Sequence, residues 1–334
     1  MKLESKSLMR AAVTGGVLLM GLLPLSAMAD CGKVTIGELN WDSARMVANV
    51  EKFILQAGYG CKVEIIPTTT VPSMASLIEK GDMDLLSETW LNSIKEPVEK
   101  GLKEGKIVDA GRVLSDGGVE AWWIPQYLAD AHPEIKTIAD VKKNWKLFED
   151  PESPGKGRFH NCPAGWGCQI INSNLFKAYG MGDTFVNFDP GSAEGLNGSI
   201  AKAFVRKQPW VGYYWAPTAI LGKYPMKKIG LNASDPAGHA CNQKKDCDKP
   251  HAGSYPPSVV LSLTTIGFKK THPKEYAFIS KIGLPNDVVN AVLAWGEGEQ
   301  AKGEELAAYF MAKHKDLWKS WLPADIAAKV EGAL

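Results

Sequence analysis

Two apolar periods alternate along the chain, one fitting strands and one fitting helices. Val34 to Gly37 is a short apolar run and predicts a first strand. Met46, Val47, Val50, Phe53 and Ile54 follow at helical spacing, with Asp42 or Ser43 as cap and Gly58 as stop. Lys62 to Ile66 predicts the next strand. That β-α-β unit implies a parallel pair with a right-handed crossover. A short helix over Pro72 to Lys80 and a third strand over Asp84 to Ser87 come next, with Trp90 just past the strand's C-terminal end. In open α/β sheets that edge is where ligands bind.

A helix is expected from about Ile94 to Glu104, then a long buried strand over Val119 to Ile124. A second series follows. It holds a helix from Ile138 to Phe148, a helix opening near Gln169, a strand over Thr184 to Phe188, a helix from Glu194 to Lys207 and a strand over Trp210 to Trp215. Asn232 to Pro257 is an irregular excursion. Val259 to Phe268 predicts one more strand, and the chain from His272 onward reads as helical. One α/β series is thus interrupted by another. The chain enters the second near Trp122 and returns near Ser258, which predicts one lobe from 30–121 with 258–334 and a second from 122–257. Two crossing segments and a cleft between lobes describe a hinged binding protein.

The 334 residues, 45% hydrophobic and 22% charged, suffice for one large or two medium domains. Residues 1–29 read as an export signal: Lys2, Lys6 and Arg10 precede the apolar run Ala11 to Leu25 and the small-residue site Ala27-Met28-Ala29. Asp30 before Cys31 does not suit a lipoprotein signal, so no lipid anchor is expected. Cleavage after Ala29 removes three basic residues and one acid, taking the net charge from +1 to −1. No later stretch is long and apolar enough for a membrane helix, so an exported, soluble, periplasmic protein is expected. A near-neutral balance without basic clusters argues against a nucleic-acid partner.

Six cysteines in an exported chain fit three disulfides. Spacing favours Cys162–Cys168 and Cys241–Cys247, and leaves Cys31 with Cys61. Each of the last two begins a strand-like run, and adjacent parallel strands would set these starts side by side. Cys162-Pro-Ala-Gly-Trp-Gly-Cys168 is the most distinctive stretch: a bridge here closes a tight ring that presents Trp166 between two glycines. Its chain-entropy gain is only ~2 kcal/mol, so it holds a shape more than a fold. A zinc site would need further ligands; His160 alone nearby leaves the set short.

Eleven tryptophans are an unusual number. Trp145, Trp295, Trp318 and Trp321 lie in helical patterns and suit core packing. Trp90, Trp166 and Trp215 follow or replace strand ends in different segments, Trp41 follows the first strand, and Trp122 with Trp123 lies at the first crossing. Converging on the cleft, such rings make an aromatic box for a bulky, weakly hydrated cation. Each ring face contributes ~0.5–1 kcal/mol when exposed and ~2 or more when desolvated.

Across essentially the whole mature chain the sequence resembles the glycine betaine/proline betaine-binding proteins of ABC importers. Cys-Pro-Ala-Gly-Trp-Gly-Cys resembles that family's disulfide-closed loop, Tyr213-Tyr-Trp-Ala-Pro217 its second tryptophan segment, and Thr89-Trp90 its third. The resemblance implies a type II-like two-lobe α/β receptor with no cofactor, partnered by an ABC permease. It also implies a cage of Trp90, Trp166 and Trp215, with the Gly167 and Cys168 N–H groups facing a carboxylate. Those amides open a helix, a ready anion site. One position departs from the pattern: the family carries a histidine four residues after the first-lobe tryptophan, where this chain has Ile94. Trimethylamine N-oxide, choline and carnitine are therefore alternatives to betaine. Choline would want a carboxylate near the cage, and Glu38, Asp42, Glu88 and Glu120 are the candidates, with Trp41 and Trp122 as further walls.

Asp235, Asp246 and Asp248 beside Cys241 and Cys247 lack a recognisable calcium spacing, and a disulfide-tied surface loop is the expected reading. No nucleophile elbow, phosphate loop, dinucleotide fingerprint or His-Glu-x-x-His occurs, and the six histidines are scattered, so an enzyme is not expected. A module presented to a chemoreceptor would use the same closed form.

Overall fold

The computed structural model describes residues 31–334; the export signal expected at 1–29 lies outside the described residues. Two sheets organise the chain. The first runs β2 (Lys62–Thr68), β1 (Lys33–Leu39), β3 (Leu85–Trp90), β11 (Val260–Thr265), β4 (Ile107–Arg112). Here β1 is parallel to β2 and β3, as the β-α-β reading requires, and β11 returns antiparallel between β3 and β4. The second runs β10 (Met226–Lys228), β5 (Val119–Pro125), β9 (Gly212–Ala216), β7 (Ser153–His160), β6 (Glu149–Asp150), with β8 (Phe185–Phe188) paired to β7. Helices cover both sheets, giving an α/β molecule of two lobes. The two chain crossings lie side by side, bridged Gly118 to Ser258.

Four strands were not expected from the apolar pattern: β4, β6, β7 and β10. Ser153-Pro-Gly-Lys-Gly-Arg-Phe-His has the composition of a loop, yet its backbone pairs with β6, β8 and β9. The first long helix, Asp42–Tyr59, starts behind Trp41, so Asp42 is its first residue and neither Asp42 nor Ser43 caps it. Asp42 still favours the helix N-terminus by its charge and pairs with Lys302 at 3.0 Å. Gly60, at φ 74°, ends the helix in the left-handed conformation a side chain would resist.

The helix expected to open at Ile94 opens at Leu91, directly after β3, and runs Leu91–Lys103 with a break at Ile94 (φ −149°, ψ 35°). Pro97 explains the break: it has no N–H for the Ser93 carbonyl, and its ring crowds that carbonyl. In the excursion a short helix, Pro236–Asn242, is capped by Asp235, whose Oδ1 accepts from the Ala237 N–H at 3.1 Å.

The three disulfides pair as the spacing indicates. Cys31 and Cys61 are 4.5 Å apart at Cα, where β1 and β2 begin in register; Cys162–Cys168 spans 6.0 Å and Cys241–Cys247 5.4 Å. Among the described residues no helix is long and apolar enough to cross a membrane.

Candidate functional site

Four tryptophans from four chain segments meet between the lobes. Trp90 ends β3, Trp41 follows β1, Trp215 lies near the end of β9, and Trp166 precedes the helix Gly167–Ala178. All four are more than nine-tenths buried and line one small cavity. Trp166 stands between two others, edge to face at 5.1 Å from Trp41 and 5.1 Å from Trp215. Tyr213, two residues before Trp215 and hence on the same face of β9, stacks beside it at 6.4 Å and completes the wall.

The polar edges of three rings are held by the protein. Trp166 Nε1 donates to Asn40 Oδ1 at 2.6 Å. Trp41 Nε1 and Trp90 Nε1 donate to one oxygen of Glu88, at 2.5 and 3.3 Å, and Ser43 Oγ donates to the same oxygen at 2.7 Å. What remains for the cavity is apolar ring surface. Glu88 reaches this post through an unusual backbone. Its φ is +58°, and the pairing of β3 with β11 slips beside it. Such an irregularity re-aims side chains beside sites. Trp90 packs closely on Gly118, where an added Cβ would come within 2.1 Å of the ring.

Gly167 and Cys168, which follow Trp166, also line the cavity. They are the first residues of their helix, so their N–H groups have no acceptor within it and carry its positive end. Gly167 packs so closely that a Cβ would sit 2.5 Å from the Ser93 carbonyl of the facing lobe. The Cys162–Cys168 bridge fixes this turn. Serine at both positions should therefore lower ligand affinity on the order of tenfold while costing the fold at most ~2 kcal/mol. Titration and thermal unfolding of the double variant check this; unaltered affinity would make the ring a surface feature.

Two carboxyls accompany the rings. Glu120, on β5 opposite Trp215, lines the cavity while buried to 7% exposure. It accepts from Tyr213 Oη at 2.8 Å and from Ser258 Oγ at 2.5 Å. Burial raises its pKa, with the Ser258, Tyr213 and Asn92 hydrogen bonds opposing. Burial likewise pushes Glu88 up to about 7 against its three donors, and its second oxygen is buried without a partner among the described residues.

Other expected residues stand elsewhere. Trp122 shares a strand face with Glu120 but lies about 7 Å further along. There it is fully buried, bonded to Asn172 at 2.7 Å and packed on Phe159 at 4.4 Å, so it is a core residue. Glu38 accepts from Asn49 at 2.9 Å and does not line the cavity. Asp42 lines an adjoining recess and is engaged by Lys302. Of the four candidate acids, Glu120 alone faces the cavity and Glu88 stands behind it. Ile94 lines a separate recess, beside Met74, Ile78 and Ile170 and rimmed by charged side chains such as Glu79, Glu96 and Lys100; its neighbour Ser93 lines the cavity instead, together with Thr70. Ser93, Thr70 and Tyr213 were missed. For Tyr213 the signal was present, in its two-residue spacing from Trp215. Among the described residues one cluster has metal-ligand proximity, Cys31, Cys61 and Glu275, and its sulfurs are joined to each other.

A family model for the substrate binding domain of ABC-type glycine betaine transport systems matches residues 32–313. The chain belongs to this family. It is 26% identical to the trimethylamine N-oxide-binding protein of Pelagibacter ubique over 93% of this chain and 97% of that protein. With the glycine betaine-binding periplasmic protein OusX of Dickeya dadantii it shares 22% identity over 75% of this chain and 77% of that one. Among solved structures, the glycine betaine, L-proline-binding protein ProX of Borrelia burgdorferi superposes with a TM-score of 0.72 at 20% identity, over 89% of this chain and 99% of that one. A choline-binding protein in complex with choline gives 0.70 at 17% identity, over 91% and 98%. Family members are transport-associated binding proteins, so the aromatic cavity sits in a receptor fold.

Proposed function

We propose that this member of the family is a periplasmic receptor whose two lobes, one built on each sheet and joined at the Gly118–Ser258 crossing, close on a small methylated amine. It would pass that ligand to the permease of an ABC importer. Trimethylamine N-oxide is the ligand the cavity suits best, and Glu120 is the observation that carries this. A trimethylated nitrogen offers no hydrogen-bond donor, so Trp41, Trp90, Trp166 and Trp215 would hold it through ring faces and buried apolar area. The other end of the ligand decides between candidates. Among the described residues no lysine, arginine or histidine lines the cavity, and a betaine carboxylate would lie beside the Glu120 carboxyl. An amine oxide presents one small, strongly accepting oxygen. Burial favours the protonated form of Glu120, which in that form would donate to that oxygen, and the Gly167 and Cys168 amides offer further donors. The relative named for trimethylamine N-oxide, which this chain matches over 93% of its length, supports the reading. Choline is the second reading, favoured by the same residue when Glu120 is ionised. Binding without chemistry is proposed, since among the described residues the lining holds no histidine, lysine or free thiol.

Calorimetric titration with trimethylamine N-oxide, choline, glycine betaine, proline betaine and carnitine tests this. Trimethylamine N-oxide should bind tightest, and Glu120→Ala should weaken it on the order of tenfold or more. Glu120→Gln keeps a donor and should retain part of the affinity. Raising the pH should weaken binding of the oxide, because the donor proton is lost, and strengthen binding of choline. Betaine binding more tightly than the oxide would overturn the assignment.

A further inference from the structure

The disulfide-tied excursion is built onto the second lobe and reaches the first. Asn174 of the helix Gly167–Ala178 donates to the Asn242 and Lys244 carbonyls at 3.0 and 2.8 Å, fixing the short helix Pro236–Asn242 from below. From that base His239 Nε2 meets the Asn92 carbonyl of the first lobe at 2.8 Å, as the N–H donor of the pair. Gln243 Nε2 donates to the same carbonyl at 2.8 Å, and Gln243 Oε1 accepts from the Lys95 N–H at 3.2 Å. The contact is no surface touch, since His239 is 7% exposed.

Its target lies just before the break at Ile94, which interrupts the regular helical hydrogen bonding of this turn. Asn92 also ties the crossing segment: its Nδ2 donates to the Pro256 carbonyl at 2.7 Å and to Ser258 Oγ at 2.5 Å, and Ser258 in turn donates to Glu120. The next residue, Ser93, lines the cavity. Asn92 thus connects the excursion through its carbonyl with the crossing through its side chain, next to the cavity wall at Ser93.

We infer that His239 and Gln243 are positioning residues, a clasp that holds the lobes shut over the ligand by gripping the Asn92 carbonyl from across the cleft. This rests on the reading of the protein as a closing receptor. Separating the lobes breaks these bonds and returns the carbonyl and both side chains to water. They therefore bias the closed state, and apparent affinity follows the closed fraction. Neither residue lines the cavity, so the effect on affinity is indirect.

The test compares wild type, His239→Ala/Gln243→Ala and Trp215→Ala by calorimetry and stopped-flow release with trimethylamine N-oxide, choline and glycine betaine. Thermal unfolding of each unliganded protein runs alongside. The clasp variant should bind every ligand that wild type binds about tenfold or more weakly, through faster release, with the ligand ranking unchanged. Its unliganded melting temperature should stay at the wild-type value. His239→Gln, which restores a donor, should recover part of the loss. Wild-type affinity in the clasp variant, with Trp215→Ala defective, would overturn the clasp and leave the cage standing. An unliganded melting temperature that falls along with affinity would also overturn it, by making the contact part of the fold. Wild-type binding by Trp215→Ala would overturn the cage instead.

Discussion

Replacing Trp215 by Ala is expected to cost ~2–4 kcal/mol of binding free energy, about 30- to 1,000-fold in Kd. Two losses combine. One is the cation–π attraction of a ring more than nine-tenths buried, where desolvation makes each face strongest. The other is apolar area against the methyl groups. The neighbours would add to the loss, because Trp215 meets Trp166 edge to face at 5.1 Å and Tyr213 in a stack, so removing it frees two further walls. Phe at 215 should cost less, since a weaker π face remains. Trp90→Ala should match or exceed the Trp215 effect, because it also empties the surface over Gly118 and leaves Glu88 with one indole donor fewer. Titration of the Ala and Phe variants measures this. A Trp215→Ala protein that binds like wild type would remove the cage.

The second large effect is on stability, and it runs with pH. Burial raises the carboxyl of Glu51 to about 8 and that of Glu88 to about 7, from an ordinary 4.5. Each group binds its proton more tightly folded than unfolded, so the folded state takes up protons between those values. Stability from these groups is greatest below about 4.5 and falls as pH rises, until about 7 for Glu88 and about 8 for Glu51. Together they should cost several kcal/mol across that interval. Glu120, raised in the same sense, adds to it. Denaturant unfolding of the unliganded protein at pH 5 and pH 8 should give the lower stability at pH 8. Glu51→Gln should flatten the dependence, because Glu51 does not line the tryptophan cavity and its hydrogen bond from Ser87 survives the change. A stability that is level or rising over this range would contradict the assignment.

Much of this architecture was legible in the residues because it rests on local signals. The helix Asp42–Tyr59 and the strands β1, β2 and β3 follow from apolar spacing, and the disulfides from the distance between cysteines. Trp90, Trp166 and Trp215 stood out because each sits at the end of a strand or in its place. The site's polar half was less legible. Glu38, Asp42, Glu88 and Glu120 look alike along the chain, and what separates them is the register of β5 against β9, which sets Glu120 opposite Trp215. Ile94 misled for a similar reason. Pro97 breaks the helix behind it, so Ser93 rather than Ile94 faces the cavity. The strand β7 could not be read at all, since Pro and Gly there mask a backbone whose partners come from distant segments.

The left-handed backbone of Glu88 makes heat resistance and capture depend on one side chain. A buried glutamate at φ +58°, with one oxygen unpaired, is a costly arrangement. Glycine would adopt that conformation freely, but it would leave the Trp41, Trp90 and Ser43 donors buried without their acceptor, so a library sorted for thermostability should reject Glu88→Gly. The same change deletes the acceptor that orients Trp41 and Trp90. Sensors evolved from this scaffold would lose shelf life and analyte together at this position, and position 88 should be held fixed while the rest is stabilised.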